Sequence, residues 1–134
     1  MTLLTPDLRF ALRTNDLARR AAARAGQAEP DPMPVVKLFN PLSAGTWLAT
    51  ELWEDSDTLF GLADLGFGCP ELGAFSLREL ASLRLPYGLG IERDIGIEGL
   101  APLSVWAATA RSAGSTIWVE ALLRRQPPTV PDGR

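Results

Sequence analysis

Apolar and polar positions divide the chain into a helical start, an alternating middle and a helical end. Leu8, Ala11 and Leu12, then Leu17, Ala18, Ala21, Ala22 and Ala25, recur at the 3.6-residue spacing of a helix. Thr5-Pro6-Asp7 supplies a start signal: a capping hydroxyl, a proline at the first helical position and an acid favoured by the helix dipole. Gly26 is the natural stop. Thr14-Asn15-Asp16 offers a break into two helices, because Thr14 and Asn15 are both good caps. Gln27 to Pro34 holds Pro30, Pro32 and Pro34 and predicts an extended linker.

From residue 35 the period changes. Val35 to Phe39 reads as a first strand closed by Asn40-Pro41, and residues 41–45 as a loop. Thr46 to Glu54 and Thr58 to Leu65 then read as two strands of a hairpin. With Asp55-Ser56 as a two-residue turn, Trp47, Ala49, Glu51 and Trp53 share a face with Asp64, Leu62, Phe60 and Thr58. Leu48, Thr50 and Leu52 share the other face with Ala63, Gly61 and Leu59. Both faces are largely apolar, which predicts a central pair covered on both sides.

Glu71 to Phe75 is a short strand, and Ser76-Leu-Arg-Glu79 is a capping box opening a short helix that ends near Arg84. Pro86 to Gly90 is a turn. Ile91 to Ile97 alternates, with Ile91, Arg93, Ile95 and Ile97 on one side and Glu92 and Asp94 on the other, as in an edge strand. Pro102 opens a helix with Leu103, Trp106, Ala107 and Ala110 on one face; Gly114 closes it. Ser115 caps a second helix through Arg125, with a strand at Thr116–Val119 as the alternative. The expected fold class is α+β: a single domain with an antiparallel sheet of about five strands and N- and C-terminal helices packed on it. Its parts are an arginine-rich helical segment (1–28), a sheet region (35–97), C-terminal helices (100–125) and a tail (126–134).

The chain has no histidine, which excludes Ser-His and Cys-His nucleophiles, histidine bases and histidine metal ligands. Cys69 is the single cysteine, so no internal disulfide or cysteine cluster forms, and no nearby cation stabilises its thiolate. The apolar runs are too short to span a bilayer and the N-terminus does not read as a signal peptide, so a cytoplasmic protein is expected. Net charge is −3, unevenly spread: +3 over residues 1–28, −8 over 29–98 and +2 over 99–134. Basic ends around an acidic middle predict termini folded back on the sheet region. An overall pI near 4.9 does not match a nucleic-acid footprint.

The remaining chemistry is carboxylate, arginine, hydroxyl and backbone. Glu51 and Asp64 on the hairpin, with Glu92, Arg93 and Asp94 on the later strand, form the best constellation. It reads either as carboxylates able to hold magnesium or as an ion pair in which Arg93 turns inward to Glu51 or Asp64. Arg13, Arg20 and Arg24 of the first helix are candidate contacts to a phosphate backbone. Trp47 and Trp53 read as core covered by Trp106 and Trp118, or as a stacking surface. No catalytic residue, resident metal or cofactor is assigned.

Short motifs recur in a familiar order: Val36-Lys37-Leu38-Phe39, Thr46-Trp47, Ala49-Thr50-Glu51, Phe60-Gly61-Leu62, Glu71-Leu72-Gly73, Phe75-Ser76-Leu77, Glu79-Leu80 and Ile91-Glu92-Arg93-Asp94. Their order resembles the bacterial family known as domain of unknown function twenty-nine fifty-eight, from about residue 35 to residue 104. The resemblance implies a small protein of plasmids and other mobile DNA, and it assigns no catalytic residues. The expected function is a non-catalytic accessory protein that binds a host or element-encoded protein. A nucleic-acid binder using the arginine helix is the alternative, and a carboxylate-metal enzyme comes third.

Overall fold

Thr5 begins the first helix, α1 (Pro6–Arg24): its Oγ1 accepts the Leu8 N–H at 3.2 Å. The computed structural model describes residues 2–94 and 100–125, the side chains of Ile117, Trp118 and Arg125 excepted. The helix does not divide at Thr14-Asn15. The Thr14 hydroxyl is satisfied within the helix by the Phe10 carbonyl at 2.8 Å, and Asn15 is turned outward to another element. Gly26, at φ +67°, follows the helix end.

Five strands, β1 (Val36–Phe39), β2 (Thr46–Leu52), β3 (Thr58–Asp64), β4 (Glu71–Ser76) and β5 (Glu92–Asp94), form one antiparallel sheet in the order β4-β3-β2-β1-β5. Together with the helices this is the expected α+β architecture. The hairpin β2–β3 sits centrally, and β5 lies at an edge as its alternation predicts. Ile95 and Ile97 of that predicted strand, and the predicted tail 126–134, lie outside the described residues.

The hairpin register departs from the uniform pairing expected. Near the turn Leu52 faces Leu59 and Glu51 faces Phe60, as the sequence predicts. A bulge at Thr50 then shifts the ladder, so that Ala49 faces Gly61 and Thr46 faces Asp64. One extra residue reverses the side of every residue before it. Trp47 and Ala49 join a core with Leu52, Leu59 and Leu12 of α1, whereas Glu51 and Trp53 turn to the opposite side with Phe60. The expected grouping of Trp47 with Glu51 and Trp53 is therefore split.

The second side is covered by α3 (Leu103–Ala113) and α4 (Thr116–Arg125), with Trp106 buried against Leu48 and Leu62. Trp106 thus lies across the sheet from Trp47, and the side chain of Trp118, the other expected cover, lies outside the described residues. Residues 116–119 are helical, which rules out the competing strand. Gly114, at φ +72°, closes α3. The short helix α2 (Leu77–Ser82) starts at Ser76, whose Oγ accepts the Glu79 N–H at 3.1 Å. Asp57, from the hairpin turn, reinforces this cap: it accepts from Arg78 N–H at 2.7 Å and from the Ser76 hydroxyl at 2.9 Å.

β1 ends at Val36, so β2 beyond Ala49 has no strand beside it on that edge. Helix α1 takes that place. Asn15 Nδ2 donates to the Thr50 carbonyl at 2.9 Å and Arg13 Nη1 to the Leu52 carbonyl at 2.7 Å. Two side chains do what a neighbouring strand would do, and a buried edge is satisfied.

Candidate binding cleft

Asp16 of α1 is fully buried, and a buried carboxylate persists only with cationic or hydrogen-bonding partners. It has three. Arg13 Nη1 lies 2.7 Å from Oδ2, Arg20 Nε 3.0 Å from Oδ1, and Arg19 Nη2 3.4 Å from Oδ1. Each arginine stands three or four residues from Asp16 on one helix, which brings it to the same side. That spacing is the sequence signal by which Asp16 could have been recognised as the hub.

Arg19 extends the cluster to the sheet. Its Nε lies 2.8 and 3.0 Å from the two carboxylate oxygens of Glu51, which also accepts the Trp53 indole N–H at 3.1 Å. Hydrogen bonding to Glu51 raises the Arg19 guanidinium pKa above its ordinary value. The Arg20 guanidinium sits 5.9 Å from the centre of the Trp53 ring, within cation–π range.

These groups form one wall of a cleft of about 590 Å³. Trp53, Phe60 and Leu72 supply its apolar surface, on the part of the sheet that α3 leaves open. The opposite wall is the segment 29–32, pinned to the start of α3: the Leu103 N–H donates to the Pro32 carbonyl at 2.9 Å, and Asp31 accepts from the Ser104 N–H and hydroxyl. The size and the apolar floor between charged walls suit a ligand or peptide site.

The constellation expected from sequence is dispersed. Arg93 meets neither Glu51 nor Asp64; its Nη1 donates to the carbonyls of Leu3 at 2.6 Å and Thr2 at 3.3 Å, tying the N-terminal segment to β5. Glu51 has Arg19 instead. Asp64 accepts the Gly66 N–H and, across the fold, the Thr116 N–H, both at 2.8 Å, so it caps α4. Glu92 of β5 pairs with Phe39 of β1, and Asp94 lies 3.5 Å from Lys37, which also holds Glu120 of α4 at 2.7 Å. Among the described residues no three acids or cysteines come close enough to hold a metal ion. Of the candidate arginines, Arg13 and Arg20 turn inward to Asp16, and Arg24 is exposed at the end of α1. Cys69 is free and exposed. No described helix is long and apolar enough to cross a membrane.

The chain belongs to the family described as protein of unknown function DUF2958, which matches residues 3–117. The match takes in α1 and all of α3, beyond the stretch that carries the sequence resemblance. No curated protein and no solved structure matches the chain.

Proposed function

We propose that this chain is a non-catalytic interaction protein that binds another protein, of host or mobile-element origin, through the cleft over Trp53, Phe60 and Leu72. The observation that carries this reading is an open apolar floor between two walls that are already fixed by internal bonds. Leu72 is exposed at 39% and Phe60 is half-buried, so apolar surface stands open beside a packed core. Charge supports a protein over a nucleic acid. The wall arginines are balanced by Asp16, Glu51, Glu29 and Asp31, and a phosphate backbone wants an unbalanced cationic surface. Arg13 and Arg20, which a nucleic-acid interface would use, are held by Asp16.

Affinity capture by the wild-type chain and by the Leu72→Glu and Arg24→Glu variants tests the reading, with binding of the retained protein then remeasured in purified form. Retention abolished by Leu72→Glu and kept by Arg24→Glu is expected. DNA binding that weakens steeply with salt and is lost on Arg24→Glu would overturn it, as would a partner indifferent to Leu72.

A further inference from the structure

We infer that the partner binds as an extended peptide that adds a sixth strand to the sheet along β4 and sets alternate side chains against Leu72 at the margin of the cleft; this rests on the cleft reading above. The backbone supplies the first part of the argument. The Leu77 N–H donates to the Asp57 carbonyl at 2.9 Å, and β3 and β4 keep that register from Thr58–Ser76 through Ala63–Glu71. In an antiparallel ladder, hydrogen-bonded pairs alternate with pairs whose polar groups point away. Gly73 and Phe75 therefore bond to β3, while the N–H and C=O groups of Leu72 and Ala74 point to the free edge. Among the described residues no strand pairs there.

The edge is also unguarded. Between Leu72 and Ser76 it has no charged side chain, no proline and no bulge, three of the devices by which strand edges are blunted; its one charge, Glu71, stands at the strand's start. A β4 edge left this way presents a template for main-chain pairing.

Side-chain parity joins edge and cleft. Leu72 faces the cleft, and Ala74 shares its side by the strand period of two. An added strand would hydrogen-bond opposite these two residues, and residues directly opposite share a face. Its bonded residues would stand beside Leu72 and Ala74, at the margin of the cleft, with Phe60 one strand further in. The main chain supplies affinity and the cleft reads the alternate side chains, which favours apolar ones at those positions.

Interface area decides between an extended peptide and a second copy of this chain. Six residues of strand are roughly 20 Å long, and pairing two such edges falls short of the ~800 Å² per partner of a stable dimer. A flexible segment follows the edge and packs on Leu72 without needing a second folded surface.

The test selects peptides from a random phage-displayed library on the full chain and remeasures their affinity on variants. Enriched peptides with apolar residues at every second position are expected. Ala74→Pro removes one outward N–H while sparing the ladder to β3, as edge strands permit. It should weaken binding about tenfold, the worth of one backbone hydrogen bond, whereas Ala74→Val should not. Amide exchange on the wild-type chain gives a readout independent of any variant: saturation with the selected peptide should slow Leu72 and Ala74 and leave Gly73 and Phe75 unchanged. If Leu72→Glu abolishes binding but Ala74→Pro and the exchange pattern do not respond, strand addition is wrong and the cleft reading stands. If no peptide is enriched, or binding ignores Leu72→Glu as well, both fall.

Discussion

Arg19 of α1 and Glu51 of β2, 32 residues apart, form a two-oxygen ion pair at 2.8 and 3.0 Å that joins the helix to the bulged strand. Glu51 is nearly buried, and 29% of the Arg19 side chain is exposed. Removing Arg19 would leave a buried carboxylate with the Trp53 indole as its remaining donor partner. Arg19→Ala is therefore expected to cost on the order of 2 kcal/mol, less than the roughly 3–5 kcal/mol of a fully dry pair. A double-mutant cycle with Glu51→Gln by urea unfolding should return a coupling energy well above experimental error. Additive effects would show that the pair contributes nothing.

Gly61 is required by contact. A Cβ there would lie 1.7 Å from the Leu48 carbonyl oxygen and 2.9 Å from the Ala49 Cα, both backbone atoms of the neighbouring strand. Gly61→Ala should cost ~4 kcal/mol or more and abolish the cooperative unfolding transition. Gly73→Ala meets nothing within 4 Å and should change stability by less than about 1 kcal/mol. Equal thermal stability for the two variants would contradict the strand packing described.

Asp64 predicts a local effect. It bonds the first turn of α4 through the Thr116 N–H, so Asp64→Ala should destabilise the protein by about 1–2 kcal/mol. Amide protection should fall first in α4. Unchanged protection between Thr116 and Arg124 would remove Asp64 from the cap.

The turn residue Asp55 gives a pH dependence. The Thr58 hydroxyl, then the Thr58 and Asp57 N–H groups, lower its pKa from 3.8 to about 2. A depressed folded-state value means stabilisation that is complete above the unfolded pKa and lost as pH falls to about 2. The stability gap between wild type and Asp55→Ala should narrow as pH falls from about 4 to about 2. A gap constant across that range would show that the carboxylate charge is not involved.

Periodicity made the element order legible: the Thr5 cap, the Ser76 cap and the Gly114 stop stand where the sequence places them. The central hairpin was legible near its turn and illegible past Thr50, because a bulge leaves no mark in an apolar stretch whose two faces are alike. Its cost was the assignment of Glu51 and Trp53 to the core of Trp47. The partners of the acids were hidden for another reason. Arg93 was the only cation on the apolar side of its strand, but the sheet order places it on β5, beyond β1, next to the Leu3 carbonyl. The Arg13-Asp16-Arg19-Arg20 spacing is visible in the sequence, but arginines on a helix suggest a phosphate contact until the docking of α1 beside β2 shows that Asp16 is buried among them.

The side chains of α1 that hold the Thr50 and Leu52 carbonyls make the helix a removable strand. A strand neighbour is written in the backbone and survives most substitutions, whereas this one depends on Asn15 and Arg13. If α1 lifts, bare acceptors open in the middle of the sheet, where two detached molecules can pair. Resistance to self-association is thus expected to depend on helix docking: Asn15→Ala with Arg13→Ala should raise light scattering on mild heating before the sheet itself melts.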